Sequence, residues 1–224
     1  MENDTWGIIS EGDTVRTMTI WVNASLWTAF PLPDIYSASK ATITEINQWK
    51  NLIEGWLRLN LKDMSLNVFD PFFYLHRGRI NKESNLHFSA LAYTIQPVKE
   101  VLLRLSEEVR RELGIPHDYI TTKGASIIFP LKGAAIDDYA VLMPVVERRE
   151  VEIWGEGGYV FAGPLINSSP PLMLPIVATR RVIRGRVPEV GEEFFANVWL
   201  IGAAEKGDFE INGTLVEGSS GQDG

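Results

Sequence analysis

Two stretches of the chain share one strand-like pattern and set the first constraint on its fold. Leu75-His76-Arg77-Gly78-Arg79-Ile80 precedes Phe88, and Val182-Ile183-Arg184-Gly185-Arg186-Val187 precedes Phe195. The offset is the same at both anchors, 184 − 77 = 107 and 195 − 88 = 107, so no gap intervenes. Each copy reads as an Arg-Gly-Arg strand, a polar turn and a long alternating strand. Apolar residues match at Leu75/Val182, Ile80/Val187, Phe88/Phe195, Leu91/Val198 and Tyr93/Leu200, which predicts a duplicated β-hairpin. The competing explanation is that short strand patterns mimic one another once one residue is aligned, and two units fall short of a repeat array. A real duplication implies two related β-layers, or a barrel with pseudo-twofold symmetry.

The segments around these stretches differ in character. Val15–Val22 alternates and predicts a strand, whereas 26–33, with its aromatics and prolines, predicts a packed loop. Thr42 followed by Glu45 has the form of a capping box, and Ile46, Trp49, Ile53 and Trp56 recur at steps of three and four. This spacing predicts a helix over 43–60. Pro97 and Gly114 frame a second stripe, Val98, Val101, Leu102, Leu105, Val109 and Leu113, which predicts a helix over 97–114. A short strand is expected at 65–69. Beyond Pro116 no helical stripe occurs. Short β-type runs follow at 125–129, 139–146, 150–154, 159–162, 176–187, 194–201 and 209–216, punctuated by Gly, Pro, Asn or Asp.

The expected fold is therefore α+β and β-rich, with two helices in the first half and an all-β second half, an OB-like barrel or a sandwich. Residues 1–118 form the helix-containing part, 119–216 the all-β part and 217–224 a disordered tail; one continuous core is the equal alternative. Gly185-Arg186-Val187, a turn containing Gly191 and a strand containing Trp199 loosely resemble part of an OB barrel. That resemblance covers only the last third of the chain and implies no activity.

Composition narrows the chemistry. The absence of cysteine removes disulfides, thiolate nucleophiles and Cys-ligated zinc. A net charge of −8 argues against general affinity for a nucleic-acid backbone. The acidic N-terminus lacks a signal-peptide pattern and no apolar run spans a bilayer, so a cytoplasmic protein with no membrane partner is expected. Phosphate-binding, dinucleotide, nucleophile-elbow and zinc-protease motifs are all missing, and no cofactor or metal is expected.

Three groups of residues are candidates for chemistry. On a strand through 178–187, Arg180, Arg184 and Arg186 share one face. With Trp199 they make a candidate ligand-binding set, since guanidinium groups beside aromatics suit a single-stranded backbone with stacked bases. The competing reading balances the row with Glu147, Glu150, Glu152, Glu189, Glu192 or Glu193, and the acid excess favours it. His76 and His87, with Asp70 nearby in sequence, could serve a hydrolase-type or metal-dependent enzyme. Asp137-Asp138 could act as acid and base, but flanking Gly133-Ala134-Ala135 predicts a solvated turn. The function expected is a non-catalytic binding or protein-interaction module with a β-rich surface, whose partner is a protein or a second copy rather than nucleic acid. An enzyme using His76, His87 and Asp70 is the alternative.

Overall fold

The computed structural model describes residues 5–10, 14–61, 64–76, 83–99, 102–104, 106–114, 116–121, 123–166 and 171–204. The chain is β-rich. Its strands begin with β1 (Thr5–Ile9), β2 (Val15–Val22), β3 (Ser25–Pro33), β4 (Ser37–Gln48), β5 (Gly55–Leu61), β6 (Met64–Phe69), β7 (Glu83–Val98) and β8 (Leu102–Arg104). They continue with β9 (Tyr119–Thr121), β10 (Ile127–Pro130), β11 (Asp138–Pro144), β12 (Glu147–Ile153), β13 (Glu156–Ile166), β14 (Leu172–Thr179) and β15 (Glu193–Ala204). Among the described residues, helix is confined to α1 (Phe73–His76), α2 (Glu107–Leu113) and a 3-10 turn at Arg180–Val182.

The two expected helices are thus overturned. Residues 43–60 form most of the antiparallel β4–β5 hairpin, with Ile43 opposite Leu59 and Ile46 opposite Leu57. Leu57, Leu59 and Leu61 are all buried while Arg58 and Asn60 are open, a period of two that a helix would scatter around its axis. The turn is built by Asn51, whose Oδ1 accepts from the backbone N–H of Ile53 (3.2 Å) and Glu54 (3.1 Å). The second predicted helix retains only α2. Its first residues, Pro97 and Val98, end β7, and Leu102 lies in β8; Val101 and Leu105 fall outside the described residues. The expected loop at 26–33 is strand β3, which among the described residues pairs only with β2 and so holds Pro31 and Pro33 at a sheet edge.

Five strands close a barrel. β4 pairs with β5, β5 with β6, β6 with β15, β15 with β7, and β7 back with β4. The β6–β15 contact is parallel and consists of Ile201 opposite Phe69; the rest of that edge of β15 pairs with β11 from Glu193 to Trp199. β6 therefore has few backbone partners along the seam. Tyr139 on β11 fills it: the buried phenol oxygen accepts from the Asn67 backbone N–H at 2.7 Å. Inside lie Ile43, Leu57, Leu59, Leu66, Phe88, Phe194, Val198 and Leu200, with Phe161 of β13 in the same cluster, so residues on both sides of 118 share this core. β14, β13 and β12 extend the sheet beyond β7, and β10 extends it beyond β11. The separate β1–β2–β3 sheet packs Met18, Ile20 and Phe30 against Ile53, Phe69 and Tyr74.

The duplicated hairpin does not form. In the second copy Arg180–Val182 is a 3-10 turn, Ile183 makes a single bridge to Ile95, and turns run to Glu193. The run read as a strand over 176–187 stops at Thr179, with the 3-10 turn and Gly185 (φ 78°) in its second part and Gly191 (φ 88°) in the turn beyond it. In the first copy Leu75 and His76 belong to α1, and 77–82 lie outside the described residues. The matched positions also face opposite ways. Phe88 is buried where Phe195 is half-buried on the outer face, and Tyr93 is half-exposed where Leu200 is buried. The long strands of the two copies instead pair with each other, antiparallel, from Val98–Glu193 to Leu86–Ala204. The run at 209–216 and the tail at 217–224 lie outside the described residues.

Candidate functional site

The arginine segment leaves the sheet at Thr179, where β14 ends opposite Gly158, so no single strand face aligns Arg180, Arg184 and Arg186. Each has its own setting. Arg186 grips Glu192 through both terminal guanidinium nitrogens, Nη2 reaching Oε1 at 2.6 Å, and Glu192 Oε2 also accepts from the Glu189 backbone N–H at 2.8 Å. These bonds hold the Glu192 carboxyl down at about 2, with Arg186 the largest cause. Arg148 reaches Glu189 at 2.7 Å, and Arg181 pairs with Glu156. Arg180 donates to the Gly185 carbonyl at 3.4 Å, and the Arg184 backbone N–H donates to Ile95 at 2.7 Å. Both side chains are exposed, and neither guanidinium has a carboxylate partner among the described residues.

Beside this segment stands a turn that sequence reasoning missed. Ile153 faces Glu156 across a two-residue loop of Trp154 (φ 50°) and Gly155 (φ 78°), a type I′ geometry. The Arg181–Glu156 pair ties the 3-10 turn to the residue two places after Trp154. Trp154 is 61% exposed. The signal available was Trp-Gly lying between two β-type runs. Glycine in second place is what this turn favours, but tryptophan in first place is not.

Trp199 does not join the arginines. It lies on the outer face of β15, with its ring 4.8 Å from Phe69 and its Nε1–H donating to Asp137 Oδ2 at 2.8 Å. The turn expected there forms, but Asp137 and Asp138 are buried rather than solvated. Asp138 accepts from the Tyr93 hydroxyl at 2.8 Å and from the Ala135 N–H at 3.0 Å. Burial raises the Asp137 carboxyl above its ordinary value; the Trp199 bond opposes the rise and Asp138 adds to it. Burial, then the Asp138 hydrogen bond, likewise raises the Tyr93 phenol. The pair fastens the β10–β11 connection to the barrel wall.

The histidines are placed separately. Asp70 is buried after β6, and its Oδ1 accepts from the Phe72 N–H at 3.0 Å. His87, on β7, stacks on Tyr36 with ring centroids 4.1 Å apart. The His76 backbone is in α1, and its side chain is outside the described residues. Among the described residues no three His, Asp or Glu side chains gather as metal ligands. The outer face of β5 and β6 is polar and partly neutralised: Arg58 donates to Ser65 Oγ at 3.3 Å and lies 3.7 Å from Glu45.

No protein-family model matches the chain, and no curated protein or solved structure matches it. Among the described residues no helix is long and apolar enough to cross a membrane.

Proposed function

We propose that the protein is a non-catalytic binding module on an OB-like barrel, and that it takes a protein partner or a second copy rather than a nucleic acid. Counted along the chain, the barrel strands are β4, β5, β6, β7 and β15. They close in the order first, second, third, fifth, fourth, with the third and fifth parallel, which supports the OB-like reading. The observation that carries the proposal is the exposure of large apolar side chains at turns and hairpin tips: Leu26, Trp27, Leu52 and Trp154 are each more than half exposed. Such groups cost solubility when free and contribute most when covered by a partner. Against a nucleic acid stand the net charge of −8 and the pairing of Arg58, Arg148, Arg181 and Arg186 with glutamates.

Two measurements test this reading. Sedimentation velocity over a range of concentrations reads self-association directly. A labelled single-stranded oligonucleotide, titrated at low and moderate salt, is expected not to bind. Binding that falls steeply with salt overturns the choice of partner, because it reports counterion release from phosphate contacts.

A further inference from the structure

Three features of the Trp154 tip do not fit an inert surface. The first is its backbone. A type I′ turn favours Asn, Asp or Gly in its first central position, because φ is positive there and a bulky side chain is crowded. The β2–β3 hairpin obeys this rule with Asn23 (φ 49°), whereas the β12–β13 hairpin places Trp154 at φ 50°. The second is exposure: at 61% exposed, the indole recovers little from packing to offset that strain. The third is charge. In a chain with 29 acidic and 21 basic residues, the neighbouring Arg148, Arg181 and Arg186 each hold a glutamate. Arg180 and Arg184 hold none among the described residues, and neither does Arg149 on β12.

We propose that Trp154, Arg180 and Arg184 form a docking spot for an acidic peptide segment of a partner protein. The indole takes an apolar side chain of the partner, and the two guanidinium groups take its carboxylates. Trp and Arg are the residues that most often anchor such contacts, and Arg matches a carboxylate with two parallel donors. A single exposed ring serves one peptide side chain but makes a poor platform for successive bases. This inference rests on the protein-binding reading above and assigns it a place and a partner chemistry.

The test is selection of a random-peptide display library on the full chain, with sequencing of enriched peptides and anisotropy titration against wild type, W154N and R180E/R184E. Enriched peptides are expected to be acidic with an apolar residue, and to lose about tenfold or more in affinity for either variant. W154N should melt at the same temperature or higher, because asparagine suits the turn; should it fold poorly, R180E/R184E alone decides. Peptides that bind both variants as well as wild type overturn this site and leave the binding-module reading standing. No enriched peptide on wild type overturns both. Binding of an oligothymidine that R180E/R184E abolishes overturns the peptide assignment in favour of nucleic acid.

Discussion

Replacing Tyr139 with phenylalanine tests how the barrel is closed. The β6–β15 seam has one paired position, Ile201 opposite Phe69, because β11 occupies the adjoining edge of β15. The Asn67 N–H opens into this seam, and the Tyr139 oxygen is its partner at 2.7 Å. The Tyr139 ring is 2% exposed, and burial is the largest cause raising its phenol above the ordinary value. The group is therefore neutral at physiological pH, and no charge is lost in the substitution. Phenylalanine keeps the ring and its contacts with the core but leaves a partly buried amide N–H unpaired. That cost is about 1–3 kcal/mol, against about 1 kcal/mol for an ordinary hydrogen bond lost to solvent. A chain of this size loses about 2–4 °C in melting temperature for each kcal/mol. Urea denaturation should show a lower midpoint at unchanged slope, and amide exchange at Asn67 should accelerate. A change below about 0.5 kcal/mol with unaltered exchange would refute the argument, since it would mean the Asn67 N–H is satisfied without the phenol.

Asp137→Asn should raise stability at neutral pH and flatten its pH dependence. Asparagine still accepts from Trp199 but carries no buried charge; because the folded-state carboxyl is raised above its ordinary 3.8, wild type loses stability relative to the variant as pH climbs through and above that value. Midpoints that fall in parallel with pH in both proteins would count against it. Gly163→Ala should cost about 1–3 kcal/mol, since its Cβ would collide with the Pro144 carbonyl and lie 2.8 Å from Met143 Sδ; an unchanged midpoint would show that β11 and β13 can separate freely. In Arg186→Gln, the Glu192 carboxyl should rise from about 2 toward its ordinary 4.5 in an NMR titration, and a value that stays low would assign its acidity to the Glu189 N–H instead.

Much of the second half was legible in the residues themselves. Four of the runs read between 139 and 201 correspond to β11, β12, β13 and β15, and of the run at 176–187 only 176–179 lies in a strand, β14; alternation between Gly, Pro and Asp punctuation specifies such strands locally. Val15–Val22 was legible for the same reason. The first helix was misread because Ile46, Trp49, Ile53 and Trp56 satisfy a helical period only if the turn at Asn51 is ignored. The decisive terms, Leu57 and Leu59 facing the same core as Leu66 and Phe88, come from strands still to be paired. The duplicated hairpin failed similarly: apolar matches cannot say which face of a strand is inward, and a bulge between Asn197 and Val198 shifts that register.

For the candidate site, sequence alone determined which charges exist and that acids outnumber bases. Which arginines are neutralised was decided by the turn at 180–192, which brings Glu192 onto Arg186 and leaves Arg180 and Arg184 without a carboxylate among the described residues. The burial of Asp137 and Asp138 was also decided in three dimensions, by Trp199 and Tyr93 arriving from two other strands. Local propensity acts over a few residues. A barrel is closed by pairings as distant in sequence as Phe69 and Ile201, so its seam, its exposed tips and its unpaired charges are properties of the closed structure.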